Sequence, residues 1–332
     1  MALDNLADYF PDWKEREALA EAMIPLIGSL YRKNVVTYCY GRALYNQSVT
    51  QIMKTHRYVR QVAQNELSEF ESHPILEEMA KLNLGPSHID VGKLATKFMG
   101  ESETHKVDVA DFVNKECQDV IDNDASPLSE PQDVVLYGFG RIGRLLARLL
   151  IEKTGSGQQL RLRAVVVRKG GADDLAKRAS LLRRDSVHGS FQGTIRVDEE
   201  NACIIANGNV IRFLYANSPD ELNYEDYDIS RAILIDNTGV WRDRDGLSKH
   251  LASRGIAKVV LTAPGKGDLK NVVSGVNSNV IATEDEIIAA ASCTTNAIVP
   301  PLKAINEEFS IVSGHMETVH AYTPDQNLID NY

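Results

Sequence analysis

The sequence predicts an α/β protein in which an all-helical N-terminal extension precedes a doubly wound parallel sheet. Three observations carry the prediction. Residues 1–122 space their apolar side chains as helices do. Residues 122–132, DNDASPLSEPQ, form a polar linker with two prolines. From residue 133 onward, short β-rich runs alternate with helical ones, which favours a parallel sheet covered by helices.

In the extension, Asp12-Trp13-Lys14-Glu15 resembles a capping box, with Asp12 as N-cap and Glu15 reaching back. Leu19, Met23 and Leu26 continue an apolar stripe. Helices are expected over 45–63 and 75–84, the second opening at Ser72 with Pro74 in its first turn. Gly85-Pro86 breaks the pattern, and shorter helices follow over 90–99 and 108–121. Beyond the linker, Asp133–Tyr137 and Leu162–Val167 are strands, followed by helices over 141–152 and 172–183. Residues 191–215 carry hairpin signals, with Asn207-Gly208 as a turn. Ala232–Ile235 and Lys258–Leu261 are buried strands, with a helix near 243–253 between them.

At 332 residues the chain suggests about two domains of roughly 150 residues each. Its 43% hydrophobic and 25% charged residues are ordinary globular composition. The net charge of −10 is unevenly placed: residues 1–130 hold 13 basic and 21 acidic groups, residues 131–332 hold 23 and 25. Nothing in that balance calls for a nucleic-acid partner. No apolar run of about 18 residues suggests a membrane span. MALDNLADYF lacks the basic start and apolar core of a secretory signal. Cys39, Cys117, Cys203 and Cys293 are far apart, with no CxxC or Cys/His cluster, so neither a metal site nor a disulfide framework is expected. A cytoplasmic protein is the expectation. Tyr31, Tyr38, Tyr40, Tyr45 and Tyr58 interleave with Arg32, Lys33, Arg42, Lys54, Arg57 and Arg60. Such interleaving can mark nucleic-acid contact, but an acidic helical unit favours core and solvated faces.

Gly138-Phe139-Gly140-Arg141-Ile142-Gly143 fits G-x-G-x-x-G, directly after a strand and opening a helix. Gly138 permits the tight turn, Gly140 a close approach of backbone to pyrophosphate, and Gly143 close packing of helix on strand. The alternative is a glycine turn without a ligand. In context the motif predicts a Rossmann-type dinucleotide site, with pyrophosphate on the helix N-terminus. The second strand runs into Val167-Arg168-Lys169-Gly170, with no acid at its tip for the ribose hydroxyls of NAD. The window 161–184 holds eight cations and two acids, Asp173 and Asp174. Arg168 and Lys169 suit the 2′-phosphate of NADP, and a solvated basic face is the alternative.

Ala291-Ser292-Cys293-Thr294-Thr295-Asn296 precedes a helical segment, 297–308. A cysteine opening a helix lies where the dipole favours its thiolate, and the adjacent N–H groups can hold an oxyanion. Twenty-seven residues on, His320 closes an apolar run and can serve as its base and acid. Spacing alone favours a buried cysteine and an unrelated histidine.

Taken in order, GFGRIG (138–143), DSVHG (185–189), Thr238-Gly239-Val240, Thr262-Ala263-Pro264, Gly275-Val276-Asn277, ASCTTN (291–296) and HAYTPDQ (320–326) resemble phosphorylating glyceraldehyde-3-phosphate dehydrogenase from residue 133 or so to the end. The resemblance implies a helical extension over 1–130, an NAD(P)-binding domain over 131–291 and the start of an α+β catalytic domain over 292–332. It implies that Cys293 attacks the aldehyde of glyceraldehyde 3-phosphate, that His320 takes the hydroxyl proton as hydride leaves, and that inorganic phosphate releases 1,3-bisphosphoglycerate from the thioester. Ser292 and Thr294 match positions for the attacking phosphate, Thr323 and Asp325 positions around the substrate phosphate. Phe139, Arg141 and Ile142 match the pyrophosphate loop, and Thr238 and Gly239 the segment beside the nicotinamide ribose. Ser292 also reads as an N-cap. A homotetramer and a role in glycolysis or gluconeogenesis are implied for the full-length protein.

Three features depart from that pattern. Lys169 stands where an acid is usual. Residues 1–130 have no counterpart in the ordinary member and resemble the extension of a long bacterial form. The family's catalytic domain continues for roughly another 150 residues, about one more domain, so truncation is expected, with the fragment itself impaired. Two other readings remain: the related erythrose-4-phosphate dehydrogenase, against which Thr323 and Asp325 speak, and a redox-sensing or partner-binding protein built on the same cofactor fold.

Overall fold

In a computed structural model, which describes residues 9–104, 107–123, 130–153 and 159–319, contacts divide the chain into two compact units, Met1–Ser129 and Glu130–Tyr332. The first unit is built on α1 (Tyr9–Arg32), whose Ala20, Met23, Ile27 and Leu30 recur at helical spacing and are buried. The helix begins three residues before Asp12, so that side chain is not the N-cap. It lies in the first turn and accepts from Arg16 Nε at 2.8 Å. A short strand β1 (Val35–Cys39), a two-residue β2 (Arg42–Ala43) and α2 (Val49–Ala63) follow. Ser48 and Gln51 close α2 with a reciprocal capping box.

The next helix, α3 (Glu69–Lys81), opens at Ser68 and not at Ser72. Ser68 and Glu71 form the capping box, and Ser72 and Pro74 lie inside the helix. Then come β3 (Ser87–Asp90), α4 (Val91–Thr104), α5 (Val109–Glu116), capped by Asp108, and a 3-10 turn at Gln118–Val120. The helical extension thus also carries a three-stranded sheet, ordered β2-β1-β3, that the sequence reading lacks. Its β1–β3 pair is parallel, Val35 opposite Ser87. The tyrosine–cation interleaving resolves into internal contacts. Tyr31 stacks on Tyr45 with centroids 4.6 Å apart, the Arg42 guanidinium lies 3.5 Å from the Tyr58 centroid, and Tyr40 donates to Thr96.

In the second unit, β4 (Gln132–Tyr137) alternates its side chains between two cores. Val134 and Leu136 join one, Val135 and Tyr137 the other. Burial on both faces is the mark of a sheet covered by helices on each side. Helix α6 (Arg141–Glu152) buries Gly143, Ala147 and Ile151 on the first face. After β5 (Leu160–Val167) and α7 (Asp174–Arg183) comes the antiparallel set β6 (Ile195–Asp198), β7 (Cys203–Ala206) and β8 (Asn209–Tyr215). Asn207 and Gly208, at φ +48° and +82°, make the two-residue turn between β7 and β8. The chain then returns through β9 (Ala232–Asp236), α8 (Arg244–Leu251), β10 (Ile256–Leu261) and β11 (Ile287–Ala289) to α9 (Cys293–Phe309).

The sheet order is β11-β10-β9-β4-β5-β8-β7-β6, parallel from β11 to β8. The chain departs from β4 to β5 on one side and returns to β9 on the other. The strand order therefore reverses at β4/β9, where such sheets open a crevice at their carboxyl ends. Buried Arg148 donates to the carbonyls of Leu182 (2.7 and 2.9 Å) and Gly189 (2.8 Å), fastening α6 to the end of α7. Among the described residues, no helix is long and apolar enough to cross a membrane, and no three His, Cys, Asp or Glu side chains gather as a metal site would require.

Candidate active site at the carboxyl edge of the sheet

The crevice is there. A cavity of about 450 Å³ opens at the carboxyl ends of β4, β5 and β9, lined by Gly138, Phe139, Gly140, Arg168, Lys169, Arg178, Asn217, Thr238, Val240 and Trp241. That volume lies within the range of roughly 300–1,000 Å³ usual for small-molecule sites. The glycine turn is built as the fingerprint requires. Gly138 adopts φ +94°. A Cβ on Gly143 would lie 2.4 Å from the Gly138 carbonyl oxygen, so only glycine lets α6 start this close to β4. A Cβ on Gly140 would meet nothing within 4 Å: this backbone faces open space. Gly140 is also the N-cap of α6 and brings no side chain to it, while the first turn of any helix has N–H groups without intrahelical partners. These features fit a dinucleotide, whose pyrophosphate needs bare backbone and a helix N-terminus.

The other proposed cofactor residues are not among the cavity's lining residues. Ile142 is exposed, and Gly239 (φ +64°) forms the turn after Thr238. Arg141 reaches away to Asp185, Nε to Oδ2 at 3.3 Å. Phe139, which does line the cavity, buries its ring edge-on against Phe213. Of the eight cations in 161–184, Arg161 and Arg163 pair with Asp133, Arg178 with Asp174, and Arg183 and Arg184 bond within their own neighbourhood. Arg168 and Lys169 line the cavity, and Arg178 donates to the Arg168 carbonyl at 3.0 Å, bracing that tip.

The DSVHG segment is explained by Asp185, a half-buried residue whose side chain is only 4% exposed and meets Arg141 of α6. It accepts from the backbone N–H of Val187 and His188, from the His188 ring and from Arg141. Burial alone would push this carboxyl up, but those bonds hold it well below the usual carboxylate range. Its stabilising contribution is therefore complete above the unfolded value near 3.9 and is lost as pH falls through the native value. Asp185→Ala should cost about 1–3 kcal/mol at pH 7 in denaturant unfolding. The gap from wild type should narrow below about pH 4, and a gap independent of pH would contradict this account.

Cys293 is the first residue of α9 and is exposed, whereas Cys39, Cys117 and Cys203 are buried. Ser292 is the N-cap: its Oγ accepts from the Thr295 N–H at 3.0 Å and lies 2.7 Å from the Thr295 hydroxyl. Asn296 donates back to the carbonyls of Ala290 and Ser292, fixing the turn into the helix. Ser292 and Thr295 face a second cleft of about 470 Å³ shared with Pro264 and Asn277; Thr294 is not among its lining residues. Asn277 accepts from Val273 and donates to the Asn271 carbonyl, so the GVN segment shapes this cleft through its backbone ties. His320, Thr323 and Asp325 lie outside the described residues.

A buried pair behind the cavity-lining Thr238 has no counterpart among the residues singled out from the sequence. Asp236, at the end of β9, and His250, in α8, are fully buried and 3.0 Å apart. Asp236 Oδ1 accepts from both the N–H and the hydroxyl of Thr238, each at 2.7 Å. Burial first, and then the Asp236 carboxylate, push the neighbouring Tyr137 phenol up to about 12.

A family model for the NAD-binding domain of glyceraldehyde 3-phosphate dehydrogenase matches residues 132–244, and one for its C-terminal domain matches residues 292–332. The chain is 58% identical to a glyceraldehyde-3-phosphate dehydrogenase-like protein of Pseudomonas aeruginosa over 93% of this chain and 68% of that one. It is 39% identical to the glyceraldehyde-3-phosphate dehydrogenase of Thermotoga maritima over 59% of this chain and 56% of the relative. For the chloroplastic enzyme A of Zea mays the values are 37%, 62% and 49%. The chain thus spans about two thirds of the first relative and about half of the other two. A match over 93% of the chain necessarily takes in most of the helical unit, which a match over 59% need not touch.

Proposed function

Because the chain belongs to the glyceraldehyde-3-phosphate dehydrogenase family, we propose that it carries the cofactor site and the nucleophile of an enzyme that oxidises glyceraldehyde 3-phosphate to 1,3-bisphosphoglycerate. What supports this reading is one arrangement. The glycine turn after β4 and Cys293 after β11 both follow carboxyl ends of parallel strands in one sheet. Three strand spacings separate them, about 14 Å across the sheet. A dinucleotide anchored at Gly138–Gly140 can extend along this edge towards the cysteine.

When bound, NAD(P)⁺ supplies the hydride acceptor. The Gly138–Gly140 backbone would hold its pyrophosphate, and Thr238 would border the nicotinamide ribose. The Cys293 thiolate adds to the aldehyde carbon, and His320 takes the hydroxyl proton as that carbon gives up its hydride, which leaves the thioester on Cys293. The N–H groups opening α9 stabilise the oxyanion. Inorganic phosphate, held at Ser292 and Thr294, attacks the thioester and frees the thiolate, conserving the oxidation energy as acyl phosphate. The experiment is to follow reduced-cofactor formation by the complete gene product with glyceraldehyde 3-phosphate and with erythrose 4-phosphate, with and without phosphate. A higher kcat/KM for the triose, dependent on phosphate, is expected. Preference for the tetrose would assign the relative instead. The same reading has the reaction in the cytoplasm, serving glycolysis or gluconeogenesis, in a homotetramer.

In this proposal the cofactor is NADP before NAD, since Arg168 and Lys169 offer two cations where the adenosine 2′-phosphate would lie. The pair Arg168→Ala/Lys169→Asp should lower the NADP/NAD affinity ratio at least about tenfold, the worth of one charge-assisted hydrogen bond. An unchanged ratio in titration calorimetry would make these two cations a solvated surface.

A further inference from the structure

Behind the cavity-lining Thr238 lies a buried pair that neither the fingerprint nor the nucleophile explains. Asp236 is fully buried and has both carboxylate oxygens committed, Oδ1 to two donors of Thr238 and Oδ2 to the His250 ring. A carboxylate can only accept, so His250 donates to it from Nε2. The other ring nitrogen, Nδ1, is buried and has no hydrogen-bond partner among the described residues. The imidazole is enclosed edge-on by the rings of Tyr137 and Trp241, at 4.7 and 5.4 Å.

Burying a carboxylate together with an unpaired nitrogen is costly, and apolar residues of similar volume commonly serve a core as well or better. Stability therefore does not explain the pair. Its geometric product is a fixed Thr238. Thr238 is held at two points by Asp236 and packs over the glycine turn: a Cβ at Gly138 would lie 2.9 Å from its methyl. Thr238, Val240 and Trp241 form the wall beyond β9, on the other side of β4 from Arg168 and Lys169.

We infer that Asp236 and His250 are positioning residues for the nicotinamide half of the cofactor, acting through Thr238. The inference rests on the cofactor reading above. The basic tip after β5 engages the adenosine half, and the wall after β9 meets the other half. Disturbing the pair loosens Thr238 and leaves the adenosine end as it was.

The 332-residue chain is titrated calorimetrically with NADP⁺ and NAD⁺, and with the adenosine-half fragments 2′,5′-ADP and 5′-AMP. Asp236→Asn, of unchanged volume, and His250→Leu should each weaken the dinucleotides about tenfold or more, as losing charge-assisted hydrogen bonds does. The fragments should stay within about twofold, as for an uncoupled site. His250→Gln, whose amide N–H can reach the same carboxylate, should restore dinucleotide affinity to within about threefold of wild type. Equal losses for dinucleotides and fragments would mean a merely structural pair and would overturn the inference. So would undiminished dinucleotide binding by a variant of native circular dichroism. Wild type that binds fragments and dinucleotides equally well also overturns it, whereas wild type that binds neither removes the cofactor reading itself. If His250→Leu does not fold, Asp236→Asn and His250→Gln still decide between these results.

Discussion

Serine in place of Cys293 should lower kcat of the complete gene product by roughly 10,000-fold or more, the scale seen when a covalent enzyme loses its nucleophile. The side chain is exposed at the first position of a 17-residue helix, with Ser292 capping beside it. A serine there would keep the cap and the fold. Its hydroxyl, however, is un-ionised at neutral pH, and the ester it could form would not conserve the oxidation energy as a thioester does. Dinucleotide affinity should remain within about twofold, because no cofactor contact is removed. The measurement is reduced-cofactor formation with glyceraldehyde 3-phosphate and phosphate, beside calorimetric binding. Undiminished turnover would sink the thioester mechanism. An alkylating reagent offers a second check on the native chain, by mass spectrometry. It should label Cys293 and spare the buried Cys39, whose thiol is pushed up to about 12, first by burial and then by Asp90 and Glu69.

The second large effect separates two glycines of one motif. Gly143→Ala places a Cβ 2.4 Å from a backbone oxygen that cannot swing aside. The helix must move off the strand, at a cost of about 3 kcal/mol, the upper end for overpacking. Dinucleotide binding should fall by about 100-fold as the turn shifts, about 2.7 kcal/mol. Gly140→Ala adds the same methyl where nothing lies within 4 Å. Its stability should stay within about 1 kcal/mol, as for exposed substitutions near a cap, yet affinity should also fall at least about tenfold because the methyl occupies the path of the pyrophosphate. Denaturant unfolding and calorimetry of both variants provide the comparison. Full affinity in Gly140→Ala would show that the turn does not cradle the pyrophosphate.

Where the sequence reading misplaced an element, a competing local signal was present. Ser72 followed by Pro74 imitates a helix start, yet Ser68-x-x-Glu71 also stands in the chain, and it is the pair that closes the capping box. Asp12 with Glu15 imitates another, but α1 already begins at Tyr9. The three-stranded sheet of the extension left no clear mark. Its strands are five, two and four residues long, and β1 pairs with a partner about fifty positions away. Such a pairing is decided by which surfaces meet, and periodicity along the chain does not record that.

The same division runs through the candidate site. By itself the sequence determined whatever depends on a few consecutive residues. Gly138 and Gly143 dictate a turn that other residues cannot make and Gly140 leaves its backbone bare, strand–helix alternation dictates a parallel sheet, and Ser292-Cys293 dictates a capped helix opening on a thiol. These are backbone and local hydrogen-bonding constraints, so they are legible without neighbours. The tertiary structure alone decided which charges are spent and which remain available. In sequence, eight cations between 161 and 184 look alike. In the fold, Asp133 and Asp174 engage three of them, and Arg168 and Lys169 are left at the cavity. It also decided that Asp236 and His250, fourteen residues apart on a strand and a helix, share a proton-bearing contact behind Thr238. Burial and long-range contact set the strength and availability of a charge, and both come into being only when the sheet and its covering helices close on one another.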